Sequence, residues 1–405
     1  MQMSDYILRK SIRPLPGKVI KAVPLPKPDI RVGLGAHGEV GEICRKRGFK
    51  RALVVTDTTI SALALAGKLE QSLEGAGIQY ATFAEICGEP TSDMIEKGRK
   101  AALNFGADCI VGLGGGSVMD SCKMIAAGAR LPALPVRKLL LKFLLVPDRT
   151  LPIINIPSTA GTGAEMTVGA VITDSRRNRK KSTVIIGLNV TDVLLDSELT
   201  LKMPRSITAA CGIDALSHGM EGIVAGVSCS EEDYWKSLEC VRLVLENLPL
   251  VLANPEDEQA RSRMCIAANY GGNAINCQLA GYVHAFAHSI GARYHIPHGN
   301  AIASCLLPVL EAEMPHCIAK MALAARHCGL PVQHSDSAEQ GIELAAKSLM
   351  KAIYDLIDLC GFPVMPPIPE ADFDTLVRLI NADSINYSAP VTLTDSQIKE
   401  ILRKI

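Results

Sequence analysis

The chain has no excess of charge of either sign: 42 Lys and Arg face 42 Asp and Glu over 405 residues, a formal net charge of +0. That balance argues against a nucleic-acid partner and against a polybasic membrane contact. Long hydrophobic runs are also missing. The most apolar stretch, residues 139–146, is interrupted by Lys142 and falls far short of the roughly 20 residues that a membrane-spanning helix needs. The opening residues, MQMSDYILRKSIRPLPGKV, are charged and broken by proline, without the apolar centre of a secretory signal. No Cys-x-x-Cys occurs, and the 13 cysteines are odd in number and scattered, as expected of reduced thiols rather than a disulfide scaffold. A soluble cytoplasmic enzyme is the expectation. The His-Glu-x-x-His of metalloproteases, the Gly-x-Ser-x-Gly elbow and a glycosidase-type carboxylate pair are not found either, and the glycine run at 112–117 does not follow the standard Gly-x-Gly-x-x-Gly spacing.

What is present is apolar material for sizeable cores, 48% of the residues, in a length that suits two domains. Residues 1–28 are rich in Pro, Lys and Arg and read as an N-terminal arm. From Asp29 strands alternate with helices. IRVGLG is a short strand, 39–48 a helix closed by Gly48, and RALVVTD (51–57) a strand ending in an acid. A helix through 62–77, a strand at 79–83, a helix at 94–105 and a buried strand at 109–114 follow. Such alternation predicts βαβ units and a parallel sheet covered on both faces. Strands at 153–157 and 168–174 continue the pattern, the basic run 176–181 reads as a solvated turn, and 191–204 closes the sheet region. Beyond Pro204 the patterns are long and helical to Ile405, so the expected architecture is an α/β domain over 29–203 and an all-α domain over 204–405.

Two loops in the first domain suit a phosphate-bearing ligand. In GLGGGSVMDSCK (112–123) a buried strand runs into consecutive glycines and opens a helix at Ser117. Backbone N–H groups there can approach a phosphate without a Cβ in the way, at the positive end of the helix dipole. A tight turn packing helix on strand would use the same glycines. Asp120 and Lys123, one turn apart, can meet cofactor hydroxyls or each other. Ser158, Thr159, Gly161, Thr162 and Gly163 form a second loop of hydroxyls and glycines, fit for phosphate or nicotinamide contacts. Asp57, at a strand's carboxyl end, can bond ribose hydroxyls and repel a 2′-phosphate, favouring NAD over NADP; it can equally cap the following TTISAL segment.

The second domain concentrates histidine. Four of the nine histidines fall in LAGYVHAFAHSIGARYHIPHGN (279–300). His284 and His288 are four apart and share a helical face; that helix is expected to end at Gly291, with His295 in the loop and the Pro-His-Gly at 297–299 turning the chain so that His298 returns. In TAACGIDALSHGMEGIV (208–224), Asp214 and His218 are again four apart. One carboxylate and several imidazoles, without thiolate, suit a divalent first-row metal.

With these stretches in order, the chain resembles the iron-containing (group III) alcohol dehydrogenase family from about Asp29 to the C-terminus. GGGSVMDSCK, IPSTAGTGAE, CGIDALSHGMEG and GYVHAFAHSIGARYHIPHG carry the resemblance. It implies an N-terminal dinucleotide-binding domain and a C-terminal helical metal-binding domain of the dehydroquinate synthase-like type. Asp214, His218, His284 and His298 are its implied metal ligands, with Fe2+ the implied ion and Zn2+ compatible. His288 matches a histidine near the nicotinamide that is not a ligand. Gly114, Gly115, Gly116 and Ser117 match the pyrophosphate loop, and Asp57, Thr159, Thr162 and Lys180 match further positions for NAD, with NADP as the alternative; Asp120 joins them as a candidate. The chain departs from the family's Pro-Thr-Thr at Ser158, from its Asp-Pro at Ser197, from its Asn-Pro-Thr at Glu89 and from its Asn-Pro-Arg at Ala389 and Val391.

The implied reaction is hydride transfer between a metal-bound primary alcohol or small diol and nicotinamide, with His288 relaying the proton. A dehydroquinate-synthase-like lyase and a glycerol-dehydrogenase-like polyol dehydrogenase share the fold. The lyase needs Lys and Arg around the metal, where Arg293 stands alone. Gly169, Ala170, Ile275 and Ile385 resemble walls of an apolar pocket. A homodimer or larger homo-oligomer is expected.

Overall fold

The structure is a computed structural model and describes residues 25–63, 65–177, 179–331, 337–384 and 388–405. Most of the expected N-terminal arm, and Ile385, lie outside these residues. The strands in chain order are β1 (Asp29–Val32), β2 (Arg51–Asp57), β3 (Gln79–Ile86), β4 (Cys109–Gly114), β5 (Phe143–Leu145), β6 (Ile153–Pro157), β7 (Gly169–Asp174), β8 (Arg179–Ile186) and β9 (Val190–Leu195). Between them lie α1 (Val40–Arg47), α2 (Gly67–Gly75), α3 (Ser92–Phe105) and α4 (Gly116–Arg130). The helical half supplies α5 (Arg205–Val224), α6 (Glu231–Ala253), α7 (Glu258–Gln278), α8 (Tyr282–Tyr294), α9 (His298–His327), α10 (Ala338–Cys360), α11 (Phe373–Ser384) and α12 (Asp395–Lys404). Two compact units result. One joins 23–203 to 256–269, the first part of α7 included; the other holds 204–255 and 270–405.

In the first unit six strands form one sheet in the order β1-β9-β6-β4-β2-β3, every pairing parallel. The middle strands β4 and β6 are buried along their whole length, which is why they read as continuous apolar runs rather than alternating ones. Val54, Val111, Ile154 and Leu194 from the sheet pack with Ile43 of α1 and Leu69 and Leu73 of α2 in one core. From β2 the chain moves outward to β3; it then crosses back to β4 on the other side of β2 and continues away to β6. The carboxyl ends of β2 and β4 therefore flank the point where successive connections diverge, the usual ligand crevice of an open parallel sheet.

Three expectations change here. The helix expected over 62–77 shortens to α2, and Ala62 instead ends a separate short helix, Thr58–Ala62, which starts directly at the strand end where the Asp57 carboxylate accepts the Ile60 N–H. β3 runs on to Ile86, which pairs with Asp57. Of the basic run read as a turn, Arg179–Lys181 already belong to β8, where Lys181 pairs with Ile172 of β7. Pairing in the small β5-β8-β7 sheet overrides local polarity.

In the helical unit α8 continues through Gly291 to Tyr294, and His295 closes it at φ 55°. α9 is long and apolar enough to cross a bilayer by length and composition, but Leu306, Val309, Leu310 and Met321 are buried within the unit, and the helix is kinked at Cys317 behind Pro315.

Candidate functional site

Asp214 and His218 lie one turn apart in α5, so both side chains leave the same face. His284 sits in the first turn of α8 and His298 is the first residue of α9, so two helix starts deliver the remaining imidazoles. The three imidazoles converge on one oxygen of the Asp214 carboxylate. Asp214 Oδ1 is 3.6 Å from His218 Nε2, 3.6 Å from His284 Nε2 and 3.3 Å from His298 Nε2. His218 and His284 stack with ring centroids 4.7 Å apart, and their Nε2 atoms are separated by 3.0 Å. Donors about 2.1 Å from a shared tetrahedral ion lie roughly 3.4 Å from one another, so these separations fit a divalent cation. Among the described residues the buried Asp214 Oδ1 has no hydrogen-bond partner, an expensive arrangement that a bound cation would remove. Asp214, His218 and His284 form the tight buried group; His298, 44% exposed at its side chain, joins through Asp214.

Charge in this cluster is distributed by burial and pairing. Burial acts to raise the Asp214 carboxyl, but His218, His298 and His284 around it win and hold it well below the ordinary carboxylate range. Burial brings His218 down to about 4, against the opposing pull of Asp214. His284 goes the other way. Burial disfavours its cation, yet Glu221 and Asp214 together raise it to about 10.

His288 stands one turn after His284, on the exposed side, with 42% of its side chain open. Its ring stacks on His298 at 5.5 Å between centroids and meets His284 edge-on at 5.7 Å. Its Nδ1 is 3.2 Å from Asp383 Oδ2. Crowding by protein around the ring lowers its proton affinity below the ordinary value, although Asp383 opposes this. It lies outside the group of donors around Asp214.

In the α/β unit, the turn from β4 into α4 faces the carboxyl end of β2. A Cβ on Gly114 would lie 2.4 Å from Val118 and 3.1 Å from Asp57 Oδ2, so no side chain fits there. A Cβ on Gly115 would come 3.5 Å from Thr159, and one on Gly116 3.0 Å from Thr162 Oγ1. Asp57, Gly114, Gly115, Gly116, Thr159 and Thr162 are thus neighbours, with Ser117 in the first turn of α4 and no side chain capping that helix. Asp57 caps its own short helix through Oδ1. Asp120 and Lys123 meet each other: the fully buried Lys123 Nζ bonds Asp120 Oδ1 at 2.9 Å, Thr167 Oγ1 at 2.9 Å and the Gly169 carbonyl at 2.6 Å, while Asp120 Oδ2 accepts the Val171 N–H. Both oxygens of Asp120 serve to fasten α4 to β7. Lys180 on β8 pairs with Glu89, both exposed.

Residues 27–196 match the family described as iron-containing alcohol dehydrogenase, and 208–405 match the C-terminal domain of the same family. The chain belongs to the iron-containing alcohol dehydrogenases. Alcohol dehydrogenase 4 of Saccharomyces cerevisiae is 30% identical over 92% of this chain and 95% of its own length. A crystal structure of 1,3-propanediol oxidoreductase superposes with a TM-score of 0.85 at 28% identity, covering 94% of this chain and 99% of that one. The sulfoacetaldehyde reductase of Bifidobacterium kashiwanohense, solved with NAD+, does so at 0.79 and 26%, covering 94% and 97%. The protein is an NAD(H)-dependent, metal-binding oxidoreductase that interconverts alcohols and aldehydes, built as a parallel-sheet domain followed by a helical domain. This iron-containing alcohol dehydrogenase has two site residues that the motif reading passed over. Glu221 is buried beside His284; its position seven after Asp214 and three after His218, on the same face, was the available signal. Asp383, the partner of His288, is 95 residues away and left no signal at all.

Proposed function

We propose that the enzyme oxidises short primary alcohols and small diols, and reduces the matching aldehydes, at a divalent metal held by Asp214, His218, His284 and His298, with iron(II) as the native ion and zinc able to replace it. The observation that carries this reading is the convergence of three imidazole Nε2 atoms on the buried Asp214 Oδ1, which has no hydrogen-bond partner among the described residues. A bound divalent cation supplies Lewis-acid polarisation of the alcohol or carbonyl oxygen. The protein does the rest. Gly114–Gly116 and Ser117 leave room and N–H groups for the pyrophosphate, and Thr159 and Thr162 flank them. Asp57 offers its second oxygen to ribose hydroxyls, which favours NAD over NADP. His288, steadied by Asp383 and open to water, takes the alcohol proton toward solvent. Lys180, the remaining candidate, is paired with Glu89, the residue at which the chain departs from the family's asparagine.

Short substrates are supported by the relatives, whose names specify propanediol and sulfoacetaldehyde. Arg293, the base nearest the histidines in sequence, is tied to Asp372, which speaks against a phosphorylated substrate. The 13 free thiols are consistent with a cytoplasmic enzyme, and the edge strand β1, which pairs only with β9 among the described residues and exposes Ile30 and Val32, with a homo-oligomer. The test is a panel of primary alcohols, diols and hydroxy acids with NAD, on metal-stripped enzyme and after adding each divalent ion. NADH should accumulate with short primary alcohols only in the metal-loaded enzyme. Equal turnover of the stripped enzyme would sink the reading.

A further inference from the structure

We infer that Glu221 is a positioning residue for the metal: it fixes the tautomer and direction of His284 and supplies the second negative charge that makes a divalent site neutral. The inference rests on the metal reading above and deepens it.

Glu221 is buried in α5, one turn beyond His218. Its Oε2 lies 2.6 Å from His284 Nδ1 and its Oε1 accepts the His284 backbone N–H at 3.1 Å, while the Gly281 N–H also bonds the carboxylate. α8 begins at Gly281 with no side-chain cap of its own, so a carboxylate from another helix caps it and complements its dipole. Gly281 is shaped for this contact. A Cβ there would stand 3.0 Å from Glu221 Oε1 and 3.1 Å from the Ser388 carbonyl. Because Glu221 accepts from Nδ1, that nitrogen keeps its proton when a cation takes the lone pair of Nε2, the nitrogen that faces Asp214. His218 lacks such support, since its buried Nδ1 has no partner among the described residues. Among the two stacked imidazoles only His284 is oriented from behind. With neutral histidines, Asp214 and Glu221 carry two negative charges, which a divalent ion balances in a buried setting where an imbalance is costly.

The experiment measures Zn2+ affinity by competition with a chromogenic chelator, together with the thermal midpoint of the metal-free protein. Glu221→Gln keeps a cap acceptor and nearly the same volume but removes the charge; Glu221→Ala removes both. Zn2+ affinity should fall by about 10- to 100-fold in Glu221→Gln, the range for losing a metal ligand's hydrogen-bond partner, and further in Glu221→Ala. The metal-free midpoint of Glu221→Gln should stay close to wild type, which a purely structural role would not combine with weakened binding. A folded Glu221→Gln that binds Zn2+ like wild type overturns the inference and leaves the metal reading standing. An unfolded metal-free Glu221→Gln overturns it too, because the carboxylate would then serve the fold first. Wild-type protein that binds no Zn2+ overturns both readings.

Discussion

Replacing Asp57 by asparagine separates two roles that one carboxylate can hold. Oδ1 accepts the Ile60 N–H at 2.8 Å and starts the short helix after β2. Asparagine caps about as well as aspartate, so stability should change by no more than about 0.5 kcal/mol. The other oxygen faces the glycine turn, where the ribose of a dinucleotide is expected. A 2′-phosphate there brings roughly two negative charges against one. Unit charges 4 Å apart interact by about 1 kcal/mol in water and about 4 kcal/mol at an effective dielectric of 20. Asp57 is partly exposed, which sets the value toward the lower end. Removing the charge should therefore favour NADP by about 1–2 kcal/mol, roughly 5- to 30-fold in the ratio of kcat/KM for NADP over NAD. The assay is steady-state kinetics with both cofactors at one alcohol concentration, with the thermal midpoint as control. A ratio within twofold of wild type, at unchanged stability, would show that Asp57 is a helix cap and nothing more.

Four further outcomes can be checked. His284→Ala and His298→Ala should each lose bound metal and nearly all turnover while far-ultraviolet dichroism stays native; full occupancy in either variant, by elemental analysis, removes that residue from the site. His288→Gln should keep its metal but lose turnover and alter the pH profile of kcat between about 6 and 9; lost metal would make His288 a ligand. Metal binding at pH 7 should release about one proton, because His284 is raised to about 10 and protonated in the metal-free protein while His218, at about 4, is already neutral. Affinity should then rise with pH up to that range, and calorimetry in buffers of different ionisation heat that finds no proton release refutes this charge arrangement. Lys123→Met should cost about 3–5 kcal/mol by leaving Asp120, Thr167 and Gly169 without their donor, a fall in thermal midpoint on the order of 10 °C, and the Asp120→Asn, Lys123→Met double variant should lose less.

Local pattern alone determined a good deal of this protein. The i, i+4 spacing in 214–218 put a carboxylate and an imidazole on one helix face, because helical periodicity is a property of the segment itself. Continuous apolar runs at 109–114 and 153–157 announced strands covered on both faces, and glycines after a buried strand announced a turn into a helix start. Those features need no knowledge of distant residues. Where local signals competed, the sequence was ambiguous or misleading: the stretch 62–77 reads as one helix, but Ala62 ends a separate short helix that Asp57 caps and α2 begins only at Gly67, and Arg179–Lys181 read as solvated turn until β7 pairs with them.

Everything that depends on two segments meeting was decided by the tertiary structure. That Asp214 Oδ1 lies 3.3–3.6 Å from three imidazoles follows from how α5, α8 and α9 start and cross, not from any spacing along the chain. Asp120 faces Lys123 and β7 because β7 returns alongside α4, and Lys180 finds Glu89 from 91 residues away. Glu221 is the plainest case. The sequence places it on the same face as Asp214 and His218, but its use depends on Gly281 bringing the start of α8 close enough for the carboxylate to reach both a backbone N–H and Nδ1 of His284. A side chain's chemistry is local, whereas its protonation, direction and partner are set by what the fold packs against it.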